Sequence, residues 1–271
     1  HHNPVLRPRL EQLLTEAPSL NIAVIGDAML DVYLRGDVDR ISPEAPVPVV
    51  RVRERKDALG GAANVAQNVA ALGARVELVA VIGEDAAGAR LKQLISALGG
   101  STRGLVNTTR PTTTKTRVLA RSQQLIRVDE EVDADCTGAE VEALLAAVDR
   151  AVADADAVIL EDYNKGVLVT AVIERAIARA TAQGVPVVVD PKYRNFFAYR
   201  GATVFKPNRR ELESALGAAV DLDHPDALPA MLDRLGVQQL LLTLSEQGMA
   251  LVQRTANSVQ PTAAVAVEVH R

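Results

Sequence analysis

Leu59-Gly60-Gly61-Ala62-Ala63-Asn64-Val65-Ala66-Gln67-Asn68-Val69-Ala70-Ala71-Leu72-Gly73 reads as a helix led by two glycines and closed by a third. Ala62, Val65, Ala66, Val69 and Leu72 recur at helical spacing and predict one apolar face. Asn64, Gln67, Asn68 and Ala71 fall on another. Paired glycines allow a tight turn and leave backbone N–H groups open where a helix starts. Asn64, in the first turn, can therefore aim its amide at a polar ligand. A closely packed helix entry explains the same glycines equally well.

The flanks of this stretch set the fold class. Residues 76–82 are a continuous apolar run ended by Gly83-Glu84-Asp85, and 86–98 carry a helical pattern. On the amino-terminal side, residues 5–16 predict a short helix. Asn21-Ile22-Ala23-Val24-Ile25 predicts a buried parallel strand that delivers Gly26 and Asp27 at its end. Asp31 follows. Further along, helix 138–153, strand 157–161, helix 170–183, strands 185–189 and 202–205, helices 208–216 and 226–235 and strand 238–243 alternate, and 249–253 and 264–269 read as later strands. This order predicts an α/β fold with a mostly parallel central sheet and helices on both faces. Two segments break the rhythm. Residues 42–48 are too proline-rich for a helix or a central strand and lead into 49–55, which alternate aliphatic and basic residues. Residues 112–128 are β-branched with a polar turn near Ser122-Gln123, as in a hairpin. Together, segments of about 32–55 and 112–128 predict a small β lid.

Composition narrows the function. The 271 residues are 48% hydrophobic with 3% aromatic, so the core is built of Val, Leu, Ile and Ala. A net charge of −4 argues against a nucleic-acid partner. One cysteine excludes an internal disulfide and fits a reducing, cytoplasmic setting. No apolar run reaches the roughly 18 residues of a membrane span.

Five predicted strands end in polar clusters: Gly26-Asp27, Glu161-Asp162-Tyr163-Asn164-Lys165-Gly166, Asp190-Pro191-Lys192, Lys206-Pro207-Asn208 with Arg209-Arg210-Glu211, and Thr243-Leu244-Ser245-Glu246-Gln247-Gly248. A parallel sheet gathers such ends at one edge, where ligands of open α/β sheets bind. Carboxylates there can hold Mg²⁺ through waters, and lysines and helix N-termini hold phosphates. That inventory suits phosphoryl transfer. The P-loop pattern, the dinucleotide fingerprint, a histidine metal set and a Ser/His/Asp order are all missing from the sequence.

Gly60-Gly61-Ala62-Ala63-Asn64 resembles the first signature of the ribokinase-like carbohydrate kinases. Ile25-Gly26-Asp27-Ala28-Met29-Leu30-Asp31, Arg40-Ile41-Ser42-Pro43-Glu44-Ala45-Pro46-Val47-Pro48 and Arg121-Ser122-Gln123-Gln124-Leu125-Ile126-Arg127 are similar to the branch acting on D-glycero-D-manno-heptose 7-phosphate. That branch occurs free-standing or as the amino-terminal half of a kinase/adenylyltransferase. The likeness covers about residues 20–271. It implies the ribokinase-like three-layer fold and ATP-dependent phosphorylation of the anomeric hydroxyl, giving the 1,7-bisphosphate for lipopolysaccharide-core precursors. It implies sugar contacts at Asp27, Asp31, Gly60, Gly61 and Asn64, and further substrate contacts at Asp162 and Lys165. Lys115, Arg117, Arg121 and Arg127 of the lid are unranked candidates for the substrate phosphate. Lys192, Asn208, Arg209, Arg210, Glu211, Thr243, Ser245 and Gly248 are implied on the ATP side, Glu211 and Asp190 at Mg²⁺, and the lid at a homodimer contact.

Two departures stand out. Glu161 occupies a place where the resemblance implies Ser. The motif Asp-x-[Thr/Ser]-Gly-Ala-Gly-Asp, which supplies the anion hole and the catalytic base, has no counterpart before Val267-Glu268-Val269-His270-Arg271. The expectation is that the natural protein continues past Arg271 and completes the ATP pocket. The alternatives are a non-catalytic sugar-phosphate-binding subunit and a kinase for another sugar phosphate.

Overall fold

The computed structural model describes residues 7–224, 228–254 and 265–270. Helix α1 (Arg7–Glu16) precedes β1 (Asn21–Gly26). Two long strands follow, β2 (Ala28–Ile41) and β3 (Pro48–Gly61), then α2 (Ala62–Ala71), β4 (Arg75–Gly83) and α3 (Ala86–Ala97). Next come β5 (Leu105–Thr108), β6 (Thr114–Ala120), β7 (Gln123–Glu130) and α4 (Ala139–Ala153). The remainder alternates: β8 (Ala157–Glu161), α5 (Thr170–Ala182), β9 (Val187–Asp190), β10 (Val204–Phe205), α6 (Arg209–Leu216), α7 (Leu228–Leu235), β11 (Gln239–Thr243), β12 (Met249–Arg254) and β13 (Val265–His270).

The main sheet has nine strands in the order β13-β12-β11-β10-β9-β8-β1-β4-β5. From β5 across to β11 every pairing is parallel. The strands β12 and β13 add antiparallel pairings at one side. Strand β1 is the pivot, because the chain builds β4 and β5 on one flank and β8 to β11 on the other. Ligands of open α/β sheets sit at such a reversal.

Side chains of β1 alternate between two cores. Ala23 and Ile25 join the helices α4, α5 and α7 on one face, with Leu144, Val148, Ile173 and Leu232 buried among them. Val24 joins α2 and α3 on the other face, with Ala66, Leu91 and Ile95. Helix, sheet and helix form three layers, as expected. Val188, Leu241 and Leu251, further along the second face, stay half-exposed.

The predicted lid is a separate four-stranded sheet in the order β3-β2-β6-β7. It is larger than the sequence suggested. Strands β2 and β3 are 14 residues each and pair from Ala28↔Gly61 outward to Ile41↔Pro48. The glycine pair therefore ends a strand instead of forming a free turn. Gly61 is the residue before the first turn of α2, with φ +57°, a conformation glycine adopts without the cost a side chain brings. The helix is also rotated from its expected setting. Ala62, Ala63, Ala66 and Val69 are buried, while Leu72 is 56% exposed.

Candidate active site at the carboxyl edge of the sheet

Asp27 follows β1 directly and is 1% exposed. Its Oδ2 accepts hydrogen bonds from the backbone N–H of Tyr163 (2.8 Å) and Lys165 (3.2 Å), and its Oδ1 from that of Val167 (3.2 Å). Burial outweighs those donors and lifts the carboxyl to about 6, with the Asp162 charge adding to the rise. This carboxylate is committed to shaping the loop after β8, so the structure brings Asp27 into the site as its organiser. Asp162 is enclosed beside it, accepting from Tyr199 Oη at 2.7 Å and from the Asn164 N–H at 2.8 Å.

The lid side of the cleft forms where β2, β3 and β6 leave the body. Asp31 Oδ1 lies 3.2 Å from Arg117 Nη1, and Arg117 stacks on Tyr33 with its guanidinium carbon 5.4 Å from the ring centre. A Cβ on Gly60 would come within 2.6 Å of Asp31 Oδ2, so glycine there is what allows Asp31 its position. Asn64 is exposed on the first turn of α2. Lys115 Nζ reaches Asp129 Oδ2 at 3.2 Å, Arg127 Nη2 reaches the same oxygen at 3.0 Å, and Lys165 Nζ reaches Glu131 Oε2 at 2.7 Å. The structure thus gathers Asp31, Gly60, Lys115, Arg117, Arg127 and Lys165. It leaves Arg121 apart, at the exposed β6–β7 turn with φ +55°.

Between β1 and β10 stands a carboxyl pair. Glu161 and Asp190 are register neighbours at the ends of β8 and β9. Burial and the facing Asp190 carboxyl push the Glu161 carboxyl well above the usual carboxylate range. Lys206 Nζ lies 3.4 Å from Asp190 Oδ1. Lys192 Nζ sits 5.8 Å from the centre of the Tyr163 ring and 3.3 Å from Glu211 Oε2.

Asn208 and Glu211 open α6 as a reciprocal cap. The Glu211 N–H donates to Asn208 Oδ1 at 2.7 Å, and the Asn208 N–H donates to Glu211 Oε1 at 3.1 Å. This helix start borders an open groove of about 540 Å³ lined by Asn208, Arg210, Thr243, Ser245 and Gln247, among others. Ser245 and Gly248 both carry positive φ, +53° and +92°, which bends the loop around the groove. Arg210 is exposed at its rim. Arg209 also lines the groove, but its guanidinium is held by Glu213 at 2.9 Å and by the Val220 carbonyl at 2.6 Å. The Arg209 head group is thus a brace for the turn after α6.

Among the described residues, no group of three or more His, Cys, Asp or Glu side chains converges as a metal cage. Glu211 lies beside Lys192, and Asp190 lies beside Lys206 and Glu161. That donor set fits Mg²⁺ carried mainly by waters and phosphates, the usual state of this ion.

Three participants were not singled out from sequence. Arg110 Nη1 donates to the carbonyls of Ala134 (2.9 Å), Val132 (3.3 Å) and Lys165 (3.4 Å), tying the lid's exit to the loop after β8. Arg194 Nη1 donates to the Asp133 carbonyl at 2.8 Å on the same exit. Glu131 bridges lid and body. The only sequence signal for it was the acidic run beside the basic hairpin, Asp129-Glu130-Glu131.

A parallel sheet with a polar cleft at its reversal point and a β lid over one side defines the ribokinase-like class. Solved structures agree on the fold. The chain superposes on phosphofructokinase-2 from Escherichia coli with a TM-score of 0.67 at 17% identity, covering 91% of this chain and 79% of that one. It superposes on Arabidopsis thaliana ribokinase complexed with ribose and ATP at 0.61 and 20% identity, covering 86% and 74%. The pattern of the pfkB family carbohydrate kinases matches residues 19–269, and the chain belongs to that family. It is 50% identical over 232 residues to the D-beta-D-heptose 7-phosphate kinase of Bordetella bronchiseptica, covering 85% of this chain and 72% of that protein. It is 48% identical over 244 residues to the bifunctional protein HldE of Azorhizobium caulinodans, covering 88% of this chain and 50% of that protein. The chain thus spans about half the length of the HldE proteins it matches. No helix among the described residues is long and apolar enough to cross a membrane.

Proposed function

We propose that this chain is the kinase unit of a heptose 7-phosphate kinase, moving the γ-phosphoryl of ATP to the anomeric hydroxyl of D-glycero-D-manno-heptose 7-phosphate. The observation that carries this reading is the cationic lid face. Lys115, Arg117 and Arg127 line the lid sheet beside Asp31, where a phosphorylated sugar needs positive charge, and the relative at 50% identity is named for that substrate. A kinase for an unphosphorylated sugar has no use for such a face.

In this reading, Asp31 and Asn64 orient the sugar hydroxyls, while Gly61 lets the backbone approach them. Lys192 and the α6 N-terminus meet the ATP phosphates, with Arg210, Thr243, Ser245 and Gly248 along the nucleotide. Glu211 and Asp190 hold the waters of Mg²⁺, and that ion neutralises phosphate charge when bound. The lid pairs with a second lid in a homodimer, and the protein works in the cytoplasm. A coupled ATPase assay of the natural protein tests the reading: turnover with heptose 7-phosphate is expected to exceed that with ribose or fructose 6-phosphate at least tenfold, on the order of one lost charged contact. Equal turnover on all three sugars would sink it. Asn64→Ala is expected to weaken sugar binding about tenfold and leave ATP affinity within twofold, by isothermal titration.

A further inference from the structure

Glu131 sits just past β7, where the lid returns to the body. Its Oε2 is 2.7 Å from Lys165 Nζ on the body and 3.8 Å from Lys115 Nζ on the lid. That oxygen is shut away from solvent and has no well-aligned hydrogen bond. Lys115 stands opposite Asp31 across the β2–β6 ladder, so the contact lies beside the acceptor residues. The surrounding web sets four cations, Lys115, Arg117, Arg127 and Lys165, against three carboxylates, Asp31, Asp129 and Glu131. A carboxylate enclosed between two ammonium groups in poor alignment is readily exchanged for an anion that fits them better. A phosphate monoester carries close to two charges and three acceptor oxygens, enough to satisfy both lysines at once.

We infer that Lys115 and Lys165 are the pair that receives the acceptor's phosphate, and that Glu131 holds their place until the phosphorylated sugar displaces it. This rests on the heptose 7-phosphate reading above. The exchange also explains selectivity. An unphosphorylated sugar has nothing to offer the lysines, so the Glu131 bridge stays closed. A phosphorylated one replaces a tie between lid and body with a tie through itself.

Isothermal titration of the wild type, Glu131→Gln and Lys165→Gln with heptose 7-phosphate and with the same heptose lacking its phosphate tests this. Glu131→Gln is expected to bind the phosphorylated sugar about fivefold more tightly, and Lys165→Gln about tenfold more weakly. Neither variant is expected to change affinity for the unphosphorylated sugar. Inorganic phosphate is expected to compete more effectively in Glu131→Gln. If the wild type prefers the phosphorylated sugar but Glu131→Gln leaves that preference unchanged or reduced, the placeholder role is wrong and the kinase reading stands. If the wild type shows no preference for the phosphorylated sugar, both fall. Should Glu131→Gln lower the melting temperature enough to prevent titration, Lys165→Gln decides alone: equal loss for both sugars overturns the assignment.

Discussion

At Gly60 a single hydrogen atom leaves room for Asp31 in the proposed acceptor site. An added Cβ would lie 2.6 Å from Asp31 Oδ2 and 2.7 Å from Met29 Cγ. Met29 can bend aside, but Asp31 would have to leave Arg117. Gly60→Ala is therefore expected to cost about ten- to a hundredfold in kcat/KM for the sugar, since small displacements of positioning groups are that costly. The KM for ATP is expected to stay within twofold of wild type in steady-state kinetics. Asp27 acts differently. Its folded carboxyl is raised from 3.8 to about 6. Between those values the folded protein keeps a proton that the unfolded chain has released, so this group makes stability fall as pH rises through that window. Asp27→Asn should lower stability at all pH values, because an amide N–H₂ meets backbone N–H donors, and should flatten the slope between pH 4 and 6. Urea unfolding across that range reads both effects, and an unchanged slope would refute the assignment. The place of Asp27 at the carboxyl end of β1 was legible because it follows an apolar run. Its partners were not, since three N–H groups at positions 163, 165 and 167 are brought to it only by the pairing of β1 with β8.

Among the elements, α6 shows how one short helix serves two ends. Its cap satisfies the N–H groups of both Asn208 and Glu211, and the second Glu211 oxygen reaches back to Lys192. Asn208→Ala is expected to cost about 1 kcal/mol of stability, read from the denaturant midpoint. Glu211→Gln keeps the cap's acceptor and removes the charge beside Lys192, so stability should hold while the Mg²⁺ concentration needed for half-maximal turnover rises. A magnesium titration with no shift would count against the metal role. The Asn-x-x-Glu spacing was readable as a pair, whereas its lysine partner belongs to the loop after β9 and needed the sheet to bring it near. Apolar runs gave most strands of the main sheet for a similar reason: β1 and β4 are largely buried on both faces, and β8, β9 and β11 bury every second side chain. Strand β5 escaped because Leu105-Val106-Asn107-Thr108 is four residues with no alternation, and only its pairing with β4 makes it a strand. The inner part of β3 escaped because Lys56-Asp57-Ala58-Leu59-Gly60-Gly61 has no alternation, yet the ladder to β2 keeps it extended.

For the molecule as a whole, the lid is where solvent meets apolar surface. Val128 is 47% exposed, Ile126 55% and Val52 48%. One lid face forms an open trough of about 640 Å³ lined by Leu30, Val32, Leu34, Val118 and Val128, among others. Exposed apolar surface of this kind on a two-edged sheet favours association. Val128→Glu is expected to convert the proposed homodimer to a monomer in light scattering and to raise the sugar KM. A wild type that is monomeric at micromolar concentration would dispose of the proposal.

The length of β2 has a mechanical meaning. Ala28 is rooted in the core, Asp31 lies three residues out and Ile41 thirteen. At about 3.3 Å per residue, the far end is roughly 43 Å from the root and Asp31 roughly 10 Å. Were β2 to swing about its root as one arm, a tip movement of about 4 Å would carry Asp31 only about 1 Å. Coarse motion at the outer end, including any grip by a second lid, is thereby geared down to the fine adjustment a sugar hydroxyl requires.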